Sequence, residues 1–156
     1  MIYIADTNVV SELMKSDPTS NVIDWFQDHE GAVYLTAITV EELYFGMLSL
    51  PEGKRKRRLG EAITPIVMDC ADKTLPFDAY CGYLCAQLHA RATASGHTPT
   101  VEDLMIAAIC QRNNAVLARA TRRTSPTSTS TWKTPSSTRA PRSSACAPKD
   151  ERGKAL

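Results

Sequence analysis

The sequence contains no long hydrophobic run. Nothing in its 156 residues approaches the roughly twenty consecutive apolar residues that a membrane helix needs, and no basic stretch leads into an apolar core at the N-terminus. The expectation is a soluble, cytoplasmic protein with no membrane association. Cysteine is present but in an odd number, at positions 70, 81, 85, 110 and 146, mostly among apolar residues in helix-like surroundings. That excludes a disulfide framework and points to reduced thiols packed like small apolar side chains. No internal repeat is visible. The sharpest absence is local: from Arg119 onward there is no Ile, Val, Phe or Tyr, and no acidic residue before Asp150.

Charge breaks at the same place. Residues 1–118 carry nine Lys and Arg against fifteen Asp and Glu, a net −6, whereas residues 119–156 carry nine against two, a net +7. The near-neutral total of +1 conceals this asymmetry. A segment of Ser, Thr, Pro and Arg cannot bury enough apolar surface to offset its ordering entropy, so 119–156 reads as a disordered tail. Residues 1–118 suit one domain of ordinary size with a core of its own.

Within that domain, strand-like and helix-like patterns alternate. Residues 2–5 are a short apolar strand, and Val9 to Lys15 a helix broken at Ser16-Asp17-Pro18. Val22, Ile23, Trp25 and Phe26 recur at helical spacing between Ser20 and His29. Ala32–Thr36 reads as a second strand. Thr39 is then expected to cap a helix bearing Val40, Leu43, Tyr44, Met47 and Leu48. A basic helix runs from Lys54 to about Cys70, an extended piece covers Thr74–Asp78, and helices follow over Ala79–Ser95 and from Thr100 to Gln111. A strand begins at Ala115. Such alternation predicts an α/β fold with a parallel sheet and helices on both faces.

Three carboxylates fall at element junctions on the edge where such a sheet gathers its loops. Asp6 ends the first strand, Glu42 follows the second with Glu41 beside it, and Asp103 lies in the first turn after Thr100. Singly, each has a plain reading as a cap or as an acid favoured at a helix N-terminus. Jointly they are more specific, because carboxylates brought together repel unless a cation intervenes. Hard oxygen ligands in small number suit Mg²⁺ or Mn²⁺, held partly by water and substrate phosphate.

The stretches Asp6-Thr7-Asn8-Val9-Val10-Ser11-Glu12, Thr39-Val40-Glu41-Glu42-Leu43-Tyr44-Phe45-Gly46 and Asp103-Leu104-Met105-Ile106-Ala107-Ala108 resemble a PIN-domain nuclease. Within that family they are most similar to the FitB/VapC-like toxins of type II toxin–antitoxin pairs. Pro51-Glu52-Gly53-Lys54 and Leu75-Pro76-Phe77-Asp78 resemble linking segments of that branch, so the match spans 1–118 in order and spacing. The resemblance implies a PIN-like fold and a Mg²⁺-dependent endoribonuclease, a metal-dependent hydrolase. It also implies a homodimer, an RNA substrate and a cognate antitoxin. It assigns Asp6 and Asp103 as metal ligands, Glu42 as an acidic catalytic partner, and Thr7 or Asn8 as supporting residues. A catalytically impaired PIN-like module that binds antitoxin or RNA without cutting is the alternative.

Two other patterns have plainer explanations. Cys81, Cys85 and His89 at i, i+4 and i+8 could offer soft ligands along one helix face, but zinc takes ligands from more than one element and a fourth is lacking unless His97 folds back. Buried thiols are the expectation. The run Lys54-Arg55-Lys56-Arg57-Arg58 could attract RNA phosphates, yet a solvated helix face accounts for it.

The resemblance also implies that the strand near Ala118 continues into Thr-Arg-Asn-x-x-Asp-Phe, supplying a further acid and a last strand. The chain instead reads Arg119-Ala120-Thr121-Arg122-Arg123. Loss of one nucleotide in or next to the codon of Ala118 would account for this, the alternative being a native disordered tail. In the restored frame Ala118-Arg119 can give Thr, Arg119-Ala120 Arg, Ala120-Thr121 Asn, Arg123-Thr124 Asp and Thr124-Ser125 Phe. The Ser/Thr run at 127–131 then decodes as alternating apolar and polar residues, a strand pattern. The tail is therefore expected to be frameshift-derived, leaving the domain incomplete at its C-terminal end.

Overall fold

A computed structural model describes residues 1–120 of the chain. The expectations for a tail without regular structure and for its frameshift origin concern residues that lie, from 121 on, outside the described ones. The described elements run β1 (Tyr3–Ala5), α1 (Thr7–Leu13), α2 (Ser20–Asp28), β2 (Val33–Thr36), α3 (Ala37–Leu48), α4 (Lys54–Asp69), a 3₁₀ turn (Ala71–Lys73), β3 (Thr74–Leu75), α5 (Ala79–Ala94), α6 (Val101–Asn113) and β4 (Val116–Ala118).

The sheet has the order β3-β2-β1-β4 and every pairing in it is parallel. Tyr3 stands opposite Val33 on one side and Val116 on the other, and Ala5 pairs with Ala118. Parallel neighbours need crossover helices, which then cover the sheet on both faces. The two-residue period of the strands sorts their side chains accordingly. Ala5, Val33, Leu35 and Ala118 join a core with Val9, Val10, Trp25, Leu43 and Ile63 from α1 to α4. Ile4 and Leu117 join the opposite core with Cys81 and Leu84 of α5 and Ile106, Ala108, Ile109 and Cys110 of α6. The α/β architecture expected from the sequence, a parallel sheet between helical layers, is the one found.

Two local details differ from the sequence expectation. Thr36, not Thr39, caps α3: its hydroxyl accepts the Thr39 N–H at 3.0 Å, and the two threonine hydroxyls, both fully buried, lie 2.9 Å apart. The helix thus starts right at the strand end, and Glu42 falls in its second turn. Arg119 and Ala120, grouped with the tail by composition, lie against the domain, with Ala120 packed on the Trp25-side core. Elsewhere the chain follows its pattern. Thr100 caps α6 as expected, and Asn114, in the left-handed conformation at φ 49°, ends it.

The strand order matters for function. From β1 the chain moves to β2 and β3 on one side, while β4 returns to pair on the other. The order reverses between β1 and β4, and open α/β sheets bind ligands in the crevice beyond the strand ends at such a point. The residues that leave those two strands there are Asp6 and Arg119.

Candidate metal centre

Asp6 is fixed by its backbone and its side chain together. Its N–H donates to the Ala118 carbonyl of β4 at 3.0 Å, which extends the ladder by one bond. Its Oδ1 accepts the Thr7 N–H at 2.7 Å as it caps α1. Only 6 % of the residue is exposed. Oδ2 is the oxygen this cap leaves over.

Asp103 arrives from the other layer, in the first turn of α6. Its N–H donates to Thr100 Oγ1 at 3.1 Å, and the Thr100 hydroxyl donates back to Asp103 Oδ2 at 3.0 Å. Thr100 thus caps the helix through the Asp103 N–H, while the return bond comes from its hydroxyl and not from its backbone N–H as in a full capping box. Oδ1 is the oxygen turned toward Asp6.

The group that joins them is one that sequence reasoning missed. The Arg119 guanidinium lies between the two carboxylates, with Nε 2.9 Å from Asp6 Oδ2 and Nη2 donating to Asp103 Oδ1. The contact with Asp6 is an ion pair by distance, but Nε is buried and has no well-aligned hydrogen-bond acceptor among the described residues. Burial lowers the Arg119 pKa, yet the Asp103 bond and the charges of Asp6 and Asp103 outweigh it, so the net shift is upward. The cation is permanent at any working pH. The signal that could have found Arg119 was topological. It is the first residue past the strand that pairs with β1, but the composition of the following segment concealed it.

Glu42 reaches the same corner from α3, where it is half-buried. It accepts a hydrogen bond from the Thr7 hydroxyl, one residue past Asp6. Asn8 is exposed, and among the described residues its amide makes no bond to any of the three carboxylates. Asp6 and Asp103 therefore share one cation, Glu42 is linked through Thr7, and Asn8 stands apart. Among the described residues no three His, Cys, Asp or Glu side chains already form a metal cage. The donor set is still oxygen only, and the two acids are held against a positive charge. Both features fit a hard divalent cation bound by few protein ligands.

The rival patterns resolve simply. Cys81 is fully buried with Sγ 3.9 Å from the Pro76 carbonyl, and burial pushes the Cys81 and Cys85 thiols up, away from the thiolate a metal requires. His89 is exposed. Cys110 is pushed up to about 12 by burial and is inert as a nucleophile. In the basic run, Lys54, Arg55, Arg57 and Arg58 are exposed, and Lys56 pairs with Glu52 at 2.5 Å. No described helix is long and apolar enough to cross a membrane.

Known proteins resemble this chain in sequence and in fold. The PIN domain family profile matches residues 3–122. The VapC ribonuclease Y4jK of Sinorhizobium fredii is 38 % identical over 130 residues, covering 80 % of this chain and 89 % of its own length. The toxin FitB of Neisseria gonorrhoeae is 36 % identical over 122 residues, covering 75 % and 86 %. The crystal structure of FitAcB from Neisseria gonorrhoeae superposes with a TM-score of 0.69 at 33 % identity, covering 76 % of this chain and 86 % of that one. With the family profile matched over residues 3–122 and these relatives matched along most of their length, the chain belongs to the PIN domain family.

Proposed function

We propose that the chain is a Mg²⁺-dependent endoribonuclease, the toxic component of a type II toxin–antitoxin pair, that hydrolyses RNA phosphodiesters. The observation that carries this reading is the convergence of the Asp6 and Asp103 carboxylates at the switch point of the sheet, with Glu42 joined to the same corner through Thr7. The relatives named VapC ribonuclease and toxin FitB support the reaction class and the toxic role.

Asp6 and Asp103 would hold the ion, each offering the oxygen its own helix cap leaves over, and Mn²⁺ would fit the same donors. When bound, the ion supplies a Lewis acid for the phosphodiester and an acidified water. Thr7 holds Glu42 in place by donating to one of its oxygens. The Glu42 carboxylate, half-buried beside the ligands, is positioned to accept a proton from an attacking water. The buried backbone of Asp6 keeps the first ligand from drifting.

A cognate antitoxin and a second copy of the chain are the proposed protein partners, in the cytoplasm. Phe45 and Leu48 on α3 and Met68 on α4 are large apolar side chains left more than half exposed, the kind of surface a protein partner covers. A second reading, a PIN-like module that binds without cutting, is favoured by the Arg119 guanidinium on both proposed ligands. Incubating the purified full chain with RNA, with and without Mg²⁺, separates the two. Cleavage that needs Mg²⁺ and vanishes in Asp6→Asn and Asp103→Asn supports the nuclease. Cleavage indifferent to both metal and substitutions overturns it.

A further inference from the structure

We propose that Arg119 is an internal counter-cation that competes with divalent metal for Asp6 and Asp103, so that the guanidinium-bound and metal-bound states of the site exclude each other. The inference rests on the metal-centre reading above and concerns how that centre is controlled.

The four carboxylate oxygens fix what the site can hold. Asp6 Oδ1 is committed to the Thr7 N–H at 2.7 Å, and Asp103 Oδ2 to the Thr100 hydroxyl at 3.0 Å. One oxygen of each acid remains, and both remaining oxygens are held by Arg119. A metal ion needs those same two oxygens. A guanidinium and a divalent cation carry like charge and would have to crowd onto the same two oxygens, so each disfavours the other in the gap.

The position of Arg119 is set by the fold. It follows β4, whose Ala118 pairs with Ala5 and whose carbonyl accepts the Asp6 N–H. The arginine therefore enters the site from the neighbouring strand at a fixed register. Its bidentate reach suits two carboxylates better than a lysine's point charge would.

The fit is nonetheless imperfect, which is what makes the contact reversible. Nε is buried without a well-aligned acceptor among the described residues. The side chain as a whole is 41 % exposed, so it has a way out to solvent without disturbing the core. A tighter ligand for the two oxygens, a divalent cation, would release it. Apparent metal affinity then falls by the fraction of molecules in which the site is open. A site open about one time in ten binds metal about tenfold more weakly than its intrinsic affinity.

The test uses the full chain without RNA and reads Mn²⁺ binding directly from the free-ion signal in electron paramagnetic resonance. Arg119→Gln and Arg119→Met should bind Mn²⁺ at least about tenfold tighter than the unaltered chain, with Arg119→Lys between them. Adding Asp6→Asn to Arg119→Gln should remove the gain. A second measurement needs no substitution: titrating Mg²⁺ into the unaltered protein should move the Arg119 side-chain N–H resonance to the position of a solvated arginine. Equal Mn²⁺ affinity in all Arg119 variants, still abolished by Asp6→Asn, would overturn the competition while leaving the metal centre standing. Absence of any Asp6-dependent Mn²⁺ binding, in every variant, would overturn both. An Arg119 resonance unmoved at saturating Mg²⁺ would likewise overturn the competition.

Discussion

The β1–α1 junction and the N-terminus of α6 each deliver a carboxylate to the same guanidinium, by opposite means. Asp6 is part of the sheet: its N–H extends the β4 ladder, its side chain starts α1, and almost none of it meets solvent. Asp103 belongs to a helix end whose cap, Thr100, works alongside it, and its side chain is 40 % exposed. One acid is tied to the integrity of the fold and the other only to the local geometry of a helix turn. The same chemistry can therefore be coupled to stability at one ligand and nearly free of it at the other.

The largest expected effect lies in that contrast. Asp6→Ala and Asp103→Ala should each reduce Mg²⁺-dependent RNA cleavage by on the order of 100-fold or more, the scale of losing a group that stabilises transition-state charge. Their stabilities should diverge. Asp6→Ala removes an N-cap and a partner of a partly buried arginine, a loss of about 1–3 kcal/mol. Asp103→Ala leaves the Thr100 cap in place and should cost about 1 kcal/mol or less. Urea midpoints of the two variants, measured side by side with cleavage rates, decide it. Equal destabilisation would break the comparison.

Much of this was legible in the sequence, and the exceptions have physical reasons. Asp6, Glu42 and Asp103 could be picked out because each follows a strand or a cap signal, and the structure brings Asp6 and Asp103 onto one guanidinium, with Glu42 tied in through Thr7. The cap of α3 was misplaced because Thr36 and Thr39 lie one turn apart and either hydroxyl is a chemically good cap. Only burial of both, with Thr39 donating its N–H to Thr36, distinguishes them. Arg119 was missed for a different reason. Composition averages over a window, and a window that starts at 119 is dominated by residues foreign to a core. Yet the β1–β4 pairing carries the first residue past Ala118 into the site whatever follows it.

The two Thr caps extend the comparison at a smaller scale. Thr36→Val buries the Thr39 N–H and hydroxyl without their partner and should cost about 1–3 kcal/mol. Thr100→Val removes a solvent-exposed cap and should cost about 1 kcal/mol, while also loosening Asp103. Thermal unfolding of both variants ranks them, and the reverse order would contradict the view that the sheet side of the site carries its stability. Thr7→Val probes the link between the two, since the hydroxyl that holds Glu42 sits next to Asp6. Cleavage should fall about tenfold, the range expected for a group that orients a catalytic carboxylate, with the urea midpoint almost unchanged. A full-rate Thr7→Val enzyme would show that Glu42 needs no positioning.

The smallest effect concerns a third helix N-terminus, on the α5–α6 side but outside the site. Asp78 caps α5, accepting the Cys81 N–H at 2.9 Å and pairing with Arg112 at 2.8 Å. The bond from the Cys81 backbone, then the Cys81 side chain and the Arg112 charge, outweigh burial and hold its carboxyl below the ordinary aspartate value. A carboxyl whose pKa is depressed by folding binds fewer protons in the native state than in the unfolded one. Its contribution is therefore complete above the unfolded value of about 3.9 and disappears as pH falls through the lower native value. Asp78→Asn keeps an acceptor for the Cys81 N–H but removes the charge. Stability measured by urea unfolding from neutral to acid pH should be slightly lower for Asp78→Asn at neutrality and should converge with the unaltered chain below pH 4. Asp78 is exposed enough for salt to screen it, so the gap should shrink at high ionic strength. A gap that persists unchanged into acid would mean that α5 depends on the shape of the Asp78 side chain and not on its charge.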